Sequence, residues 1–165
     1  MATEVRTSKA SDRRRLRFNS FAELRAELDR IEAAERAGRV RHSGTWTTGQ
    51  TLGHIAAWMS YPYDGFPMGR AAWFIRAFVA MRRNHYLNVG MPSGVRIPGV
   101  KGGTYGIEDM SVDEGAARLR RAIARLEGGA QPSHPSPVFG PMGLDDWVRL
   151  NLRHAELHLS FLHPE

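Results

Sequence analysis

The sequence predicts an all-α fold, a four-helix type of bundle with an extra helical or loop insert. Three observations lead to this prediction. Apolar residues recur at helical spacing in five segments, capping-box patterns stand before three of these segments, and the alternation typical of a strand is confined to a short piece at 95–97. With 165 residues, of which 42% are hydrophobic, the chain is long enough to bury the core of one domain.

The first helix is expected to begin at Ser20, whose hydroxyl can cap it while Glu23 completes a capping box. Gly38 is expected to end it, because glycine is favoured just after the last helical turn. The apolar stripe between them consists of Phe21, Leu24, Leu28 and Ile31.

The second helix is expected to begin at Thr47 or Thr48, since Thr47 and Gln50 repeat the capping-box pattern. Pro62 should close or kink it. Its core-facing stripe consists of Leu52, Ile55 and Met59. His54 lies in the middle of this helix, on a face that it shares with Gln50 and Tyr61.

The third helix is expected over residues 70–86, and its apolar residues nearly surround it, which predicts a well-buried element. The fourth begins at Ser111, with Glu114 as its capping-box partner. The last begins around Asp145 and ends by Pro164.

Two long connections, at 88–109 and 130–143, are rich in glycine and proline. Structureless loops of this length are unusual in a compact domain. We expect both to be ordered, because each contains apolar side chains that can anchor it.

The net charge of +6 is distributed unevenly. Residues 1–20 carry six basic and two acidic side chains, so the other 145 residues are close to neutral. This predicts a basic, flexible tail at 1–18 and a single domain at 19–165, without nucleic acid as the main partner. The longest apolar stretch is too short to span a bilayer and no export signal is recognisable, so we expect a cytoplasmic protein without a membrane partner.

The chain contains no cysteine, which excludes disulfides and thiolate metal sites and leaves histidine and carboxylate as metal ligands. His154 and His158 are four residues apart in the last predicted helix, so both imidazoles leave the same face. In an antiparallel bundle His54 can meet them across the interior. Three imidazoles would hold a metal ion and leave one side open, as catalytic sites do. The alternative is that all three are ordinary hydrogen-bonded or solvated histidines.

Three further residues bear on this candidate site. Asn151 lies one turn before His154 and is either a hydrogen-bond partner of the site or an ordinary polar helix residue. His134 is on the loop before the last helix, where it fixes the loop by a hydrogen bond, acts as acid or base, or adds a fourth ligand. Glu156 follows His154 by two residues, roughly 200° around the helix, and is expected to point away from the metal, either to the surface or towards another group.

At these residues the chain resembles the DinB-like (DinB/YfiT) metalloenzyme superfamily, and more closely an uncharacterised domain-of-unknown-function branch of it. The resemblance covers most of the chain. The matching pieces, in chain order, are residues 15–18 with the helix that follows, residues 46–56, His134 with Pro135, Phe139 with Gly140, Trp147, Arg153 with His154, and His158 with Leu159.

The resemblance implies a four-helix bundle in which His54, His154 and His158 hold a divalent metal ion. Zinc or nickel is typical, and iron or manganese is the alternative. Characterised members of the superfamily include thiol-dependent transferases and isomerases as well as hydrolases. The resemblance therefore implies a metal-dependent enzyme acting on a small-molecule substrate, with a low-molecular-weight thiol as co-substrate if it is a transferase. Leu157 departs from this branch, which often has another histidine there.

Two pocket residues accompany this hypothesis. Tyr61 is expected to line the pocket, and Arg96, in the glycine-rich loop, to steady an anionic group of the substrate. A non-enzymatic alternative stays open, in which the metal only stabilises the bundle. A homodimer also stays open.

Overall fold

The computed structural model describes residues 12–165. Within this range the chain forms six α-helices and two short strands. Their bounds are α1 Phe21–Arg36, β1 Val40–His42, α2 Thr48–Asp64, α3 Trp73–Met81, α4 Arg83–Asn88, α5 Val112–Glu127, α6 Leu144–Leu159 and β2 Leu162–Pro164. The predicted helical class is confirmed, whereas the arrangement as a DinB-type bundle stays a prediction.

The hydrophobic core is built by α1, α2, α5 and α6. Each of these helices turns one apolar stripe inward, and Phe18 and Leu162 close the ends of the cluster. The largest fully buried side chains are Leu24, Leu28, Ile31, Leu52, Ile55, Met59, Leu119, Ile123, Leu126, Leu159, Leu162 and His54. One histidine is therefore as deeply buried as the core leucines.

The predicted helix starts at Thr47 and Ser111 are confirmed. Thr47 and Gln50 form the complete reciprocal capping box, and the Ser111 hydroxyl accepts from the backbone N–H of Glu114. At Ser20 the hydroxyl also caps the helix, but the Glu23 carboxylate accepts from the N–H of Asn19, one residue earlier than a capping box requires.

Helices α2 and α5 approach each other closely through glycine. A Cβ added at Gly49 would lie 2.1 Å from the carbonyl oxygen of Met110, and one added at Gly115 would lie 2.8 Å from the carbonyl oxygen of Gly49. No side chain larger than hydrogen fits at either position without displacing backbone. These contacts fix the position of α2 relative to α5, and with it the position of His54.

Pro62 does not end α2, which continues to Asp64 and is capped by Gly65. The prediction of one well-buried helix over residues 70–86 is wrong in two respects. The segment forms two helices, α3 and α4, that meet at Arg82, and no residue of α3 is buried. Apolar residues on almost every side indicate burial only if another element covers them, and α3 packs mainly against the neighbouring α4.

The strand expected at 95–97 is also wrong, because these residues lie in a loop. The two strands form elsewhere, as an antiparallel pair in which Val40 faces Pro164 and His42 faces Leu162. This pair ties the connection after α1 to the segment that follows α6.

Residues 1–11 of the predicted basic tail lie outside the described residues. Residues 12–18 lie against the domain: the N–H of Arg14 donates to the carbonyl of Ser160 at 2.9 Å, and Phe18 is buried. Arg41 also pairs with Asp12. Among the described residues, no helix combines the length and the apolar character needed to cross a membrane.

Candidate metal centre

The structure brings together the three histidines that the sequence singled out. His54 comes from the middle of α2, and His154 and His158 from successive turns of α6. Each offers one ring nitrogen, and these three nitrogens all lie within 4.8 Å of one another. Nitrogens that bind zinc at about 2.1 Å in a tetrahedron are about 3.4 Å apart, so the three must move closer together to share one ion.

His54 is oriented by a backbone carbonyl. Its side chain is 1% exposed, and its Nδ1 lies 2.9 Å from the carbonyl oxygen of Tyr105. Because a carbonyl can only accept, Nδ1 carries the proton and Nε2 keeps its lone pair. A partner of this kind on the distal nitrogen is the usual support of a metal-binding histidine.

The Tyr105 carbonyl also accepts from Trp58 Nε1 at 3.2 Å, so the loop after α4 is fastened to α2 at two points. The next residue, Gly106, has φ +75°, and a Cβ there would lie 2.8 Å from the Cβ of Ala57. Only glycine allows the loop backbone to come this close. Sequence reasoning missed the role of Tyr105, because a backbone carbonyl leaves no mark in the side-chain pattern, and Gly106 was its only local signal.

The environment of His154 bears most directly on whether a metal ion fits this site. Its Nδ1 is buried and has no hydrogen-bond partner within residues 12–165. Leaving such a group unsatisfied costs about 1–3 kcal/mol. A cluster of imidazoles with an unsatisfied buried nitrogen is a donor set that suits a divalent metal ion.

The electrostatics of the cluster keep the imidazoles neutral. Burial lowers the pKa of His54 to about 4, in spite of the opposing effect of the Tyr105 carbonyl. Burial also lowers the pKa values of His154 and His158 well below their ordinary range, and the neighbouring histidines lower them further. At neutral pH all three therefore present lone pairs, which metal binding requires.

Aromatic rings surround the histidines. Trp46 stacks on His158 with ring centres 5.3 Å apart, and it contacts His54 at 4.8 Å. Trp58 lies against His54 and His154 at 6.0 and 5.8 Å. Tyr61, predicted as a pocket wall, packs on Trp58 and so stands one ring away from the histidines.

A cavity of about 490 Å³ lies at the start of α2, between the β1–α2 connection and the start of α5. Glu35, His42 and Trp46 contribute to its lining, but none of the three clustered histidines does. Trp46 thus contacts both features: it contributes to the lining of the cavity, and its ring stacks on His158.

The other predicted site residues do not join the group of ligand atoms. The amide of Asn151 is buried and donates to the carbonyl of Trp147 at 2.9 Å. Gln50 is occupied by the α2 cap and by Asp109. His134 and Arg96 are exposed, the first on the loop before α6 and the second beside Gly103.

Glu156 is not a surface residue. It is buried and accepts from the N–H of Phe18 at 2.6 Å, and it pairs with the buried guanidinium of Arg153 at 2.9 Å. Its role in the structure is to attach residues 12–18 to α6.

One comparison with known proteins identifies a family. The family described as "Protein of unknown function (DUF1569)" matches residues 10–165, so the chain belongs to it. Neither the curated proteins nor the solved structures gave a significant match.

Proposed function

We propose that this member of the DUF1569 family is a divalent-metal-dependent enzyme with the four-helix-bundle architecture of the DinB-like superfamily. His54, His154 and His158 hold the ion, with zinc or nickel favoured over iron and manganese. The reaction is a thiol-dependent transfer or a hydrolysis on a small-molecule substrate. The observation that carries the proposal is the convergence of three neutral imidazoles from two helices, one of them oriented by the Tyr105 carbonyl.

The donor set bears on the kind of chemistry. Three neutral ligands leave the full charge of a divalent ion in place, and such an ion supplies the Lewis acidity that activates water or a thiol at neutral pH. Three protein ligands are the number found in catalytic zinc sites, whereas structural sites are normally closed by a fourth. Among residues 12–165, no fourth histidine or carboxylate joins these three.

The surrounding residues prepare the site. Tyr105 fixes the tautomer and the ring plane of His54 through its carbonyl. Trp46 and Trp58 lie against the imidazoles and cover part of their surface, and partial exclusion of water strengthens electrostatic interactions at the site. His134 and Arg96 are exposed and stay proposals as substrate contacts.

A second candidate is a metal that serves only the fold, and the aromatic cover around the histidines favours it. A ligand bound only by the native state, at a thousandfold excess over its dissociation constant, adds about 4 kcal/mol of stability. This effect alone could account for three histidines.

The first experiment measures metal content by mass spectrometry in the full chain purified without a histidine tag. We expect about one equivalent of metal in the parent, and loss of it in His54→Ala, His154→Ala and His158→Ala. His85→Ala is the matched control, because His85 is exposed on α4. A parent that neither contains metal nor takes up added zinc, nickel or cobalt would contradict both candidates.

The second experiment separates the two candidates. Cobalt(II) replaces the native ion, and its visible absorption is recorded with and without a small thiol. A spectral change that saturates with thiol supports the enzyme, because it requires an open coordination position. An unchanged spectrum, with a large rise in Tm on metal binding, supports the structural role.

A further inference from the structure

The middle of the chain contains a long segment without acidic residues. Between Asp64 and Glu108 no aspartate or glutamate occurs, and we call residues 65–107 the acid-free segment. Its basic residues are Arg70, Arg76, Arg82, Arg83, Arg96 and Lys101. They number six, so the other parts of the chain hold 17 basic against 17 acidic residues, because the basic residues of 1–20 are offset by acidic residues elsewhere in the domain.

The same segment holds the large apolar side chains that the fold leaves uncovered. Among the described residues, the exposed large hydrophobics are Trp73, Phe74, Ile75, Phe78, Met81, Val89 and Val95. All seven belong to the acid-free segment. Single exposed apolar residues are ordinary on a protein surface, but a concentration of this kind marks a binding surface.

Helix α3 organises most of these side chains. At 100° per residue, Trp73, Phe74, Phe78 and Met81 fall within about 140° of its circumference. They are 77, 59, 50 and 79% exposed. Arg76 falls about 60° beyond Trp73, at one border of this face. At the other border, Arg82 lies over the ring of Phe78 at 5.1 Å. The helix therefore has one broad apolar face bordered by arginine.

The rest of the fold holds α3 in place without covering this face. The N–H of Ala71, before the helix, donates to the carbonyl of Pro137 at 3.0 Å. After the helix, Arg83 pairs with Asp146 of α6, and Leu87 of α4 is 3% exposed. Helix α3 is thus fastened at both ends and presented outward.

We propose that the apolar face of α3 docks on the surface of a membrane that contains anionic lipids. Its aromatic and aliphatic side chains enter the boundary between headgroups and acyl chains, and the surrounding arginines contact lipid phosphates. An interfacial helix lies in the membrane plane, so nine residues, about 14 Å long, are enough although they cannot span. The proposal replaces the expectation of no membrane partner, which rested on the lack of a spanning segment.

Charge distinguishes this partner from a second copy of the chain. A two-fold symmetric dimer through α3 would set one acid-free segment against the same segment of its partner. Two segments of like charge would then face each other, because neither contains a carboxylate of its own, although Arg83 pairs with Asp146 outside the segment. An anionic lipid surface offers both the apolar layer and the compensating charge.

The test is co-sedimentation of the full chain with vesicles of phosphatidylcholine alone and of phosphatidylcholine with about 30% phosphatidylserine. We expect binding to the anionic vesicles, loss of most of it at high salt, and a blue shift of tryptophan fluorescence. The double variant Phe74→Glu with Phe78→Glu should weaken binding at least about tenfold. The matched control is Ala26→Glu with Ala33→Glu, which makes the same charge change at exposed positions of α1 and should stay within about twofold of the parent.

Both double variants should fold normally, because none of the four positions is buried, and circular dichroism and Tm check this. Three results would overturn the proposal. These are failure of the parent to bind anionic vesicles, equal weakening by the two double variants, and a parent dimer in sedimentation that the α3 variant alone dissociates. None of these measurements involves the metal, so the outcome is independent of the proposed enzyme activity.

Discussion

Helices α3 and α5 each have a strongly apolar stripe, but the stripe of α5 is buried and that of α3 is exposed. In α5 six residues are buried, whereas α3 buries none. The difference arises because α5 packs closely against another helix, α2. Gly115 of α5 meets Gly49 of α2 at backbone distance, whereas the large side chains on the apolar face of α3 are at least half exposed. Apolar spacing thus predicts a helix and its apolar face, but burial depends on a second surface of matching shape.

The charges differ in the same way. On α5, Arg120 pairs with Asp29 and Glu32 of α1, and Arg118 pairs with Glu114 one turn away. Around α3 the acid-free segment contains no carboxylate, and Arg83 pairs with Asp146 of α6 instead. The charges on α5 are thus paired with carboxylates of α1 and of α5 itself, whereas the acid-free segment has an excess of positive charge.

The largest expected effect that tests this comparison is a pair of truncations. Leu119→Ala on α5 should lower the free energy of unfolding by about 2–5 kcal/mol, because its side chain is fully buried and the change leaves a cavity. Met81→Ala on α3, 79% exposed in the parent, should change it by less than about 0.5 kcal/mol. Urea denaturation measures both. Similar losses in the two variants would mean that α3 is packed after all.

Acid should destabilise the histidine-bearing part of the core in the metal-free protein. The pKa of His54 is about 4 in the folded chain and near 6.5 when exposed. Between these values the unfolded chain binds the extra proton, so stability is complete above pH 6.5 and declines as the pH falls towards 4. The decline from this residue is about 3 kcal/mol.

The control for acid sensitivity is His54→Gln, which has no titratable group at this position and should show a smaller loss over the same pH range. The measurement is the free energy of unfolding at several pH values after removal of metal. His154 and His158 act in the same direction, so part of the pH dependence persists in the variant. An unchanged slope would contradict the assignment of His54.

A smaller effect is expected from two glycine substitutions. Gly49→Ala should cost about 1–3 kcal/mol, because its Cβ would collide with the carbonyl oxygen of Met110. Gly69→Ala, in the acid-free segment, meets nothing within 4 Å and should change the stability by less than about 1 kcal/mol, in the stabilising direction. Differential scanning calorimetry of the two variants compares them directly. Equal shifts in Tm would show that α2 and α5 can separate at little cost.

Local patterns predicted the parts of this fold that local physics determines. Thr47 and Ser111 mark helix starts, because a capped first turn depends on residues three apart. The histidine cluster followed from one further assumption, that α2 and α6 pack together with His54 level with His154. Features that depend on the packing of distant segments could not be predicted in this way. The exposure of α3 depends on which surfaces of the other helices are already covered. Three-residue strands such as β1 are too short for an alternating pattern to be recognised.

The three clustered histidines are also synthesised at different times. His154 and His158 follow His54 by about 100 residues, which a ribosome adds in about 5–20 s. Throughout that interval α2 exists without α6, and His54 has no neighbouring imidazole with which to share an ion. Under the proposed function, an ion can be bound by all three rings only after α6 has been synthesised. Binding of an ion by all three rings would therefore require both the synthesis of α6 and its packing against α2.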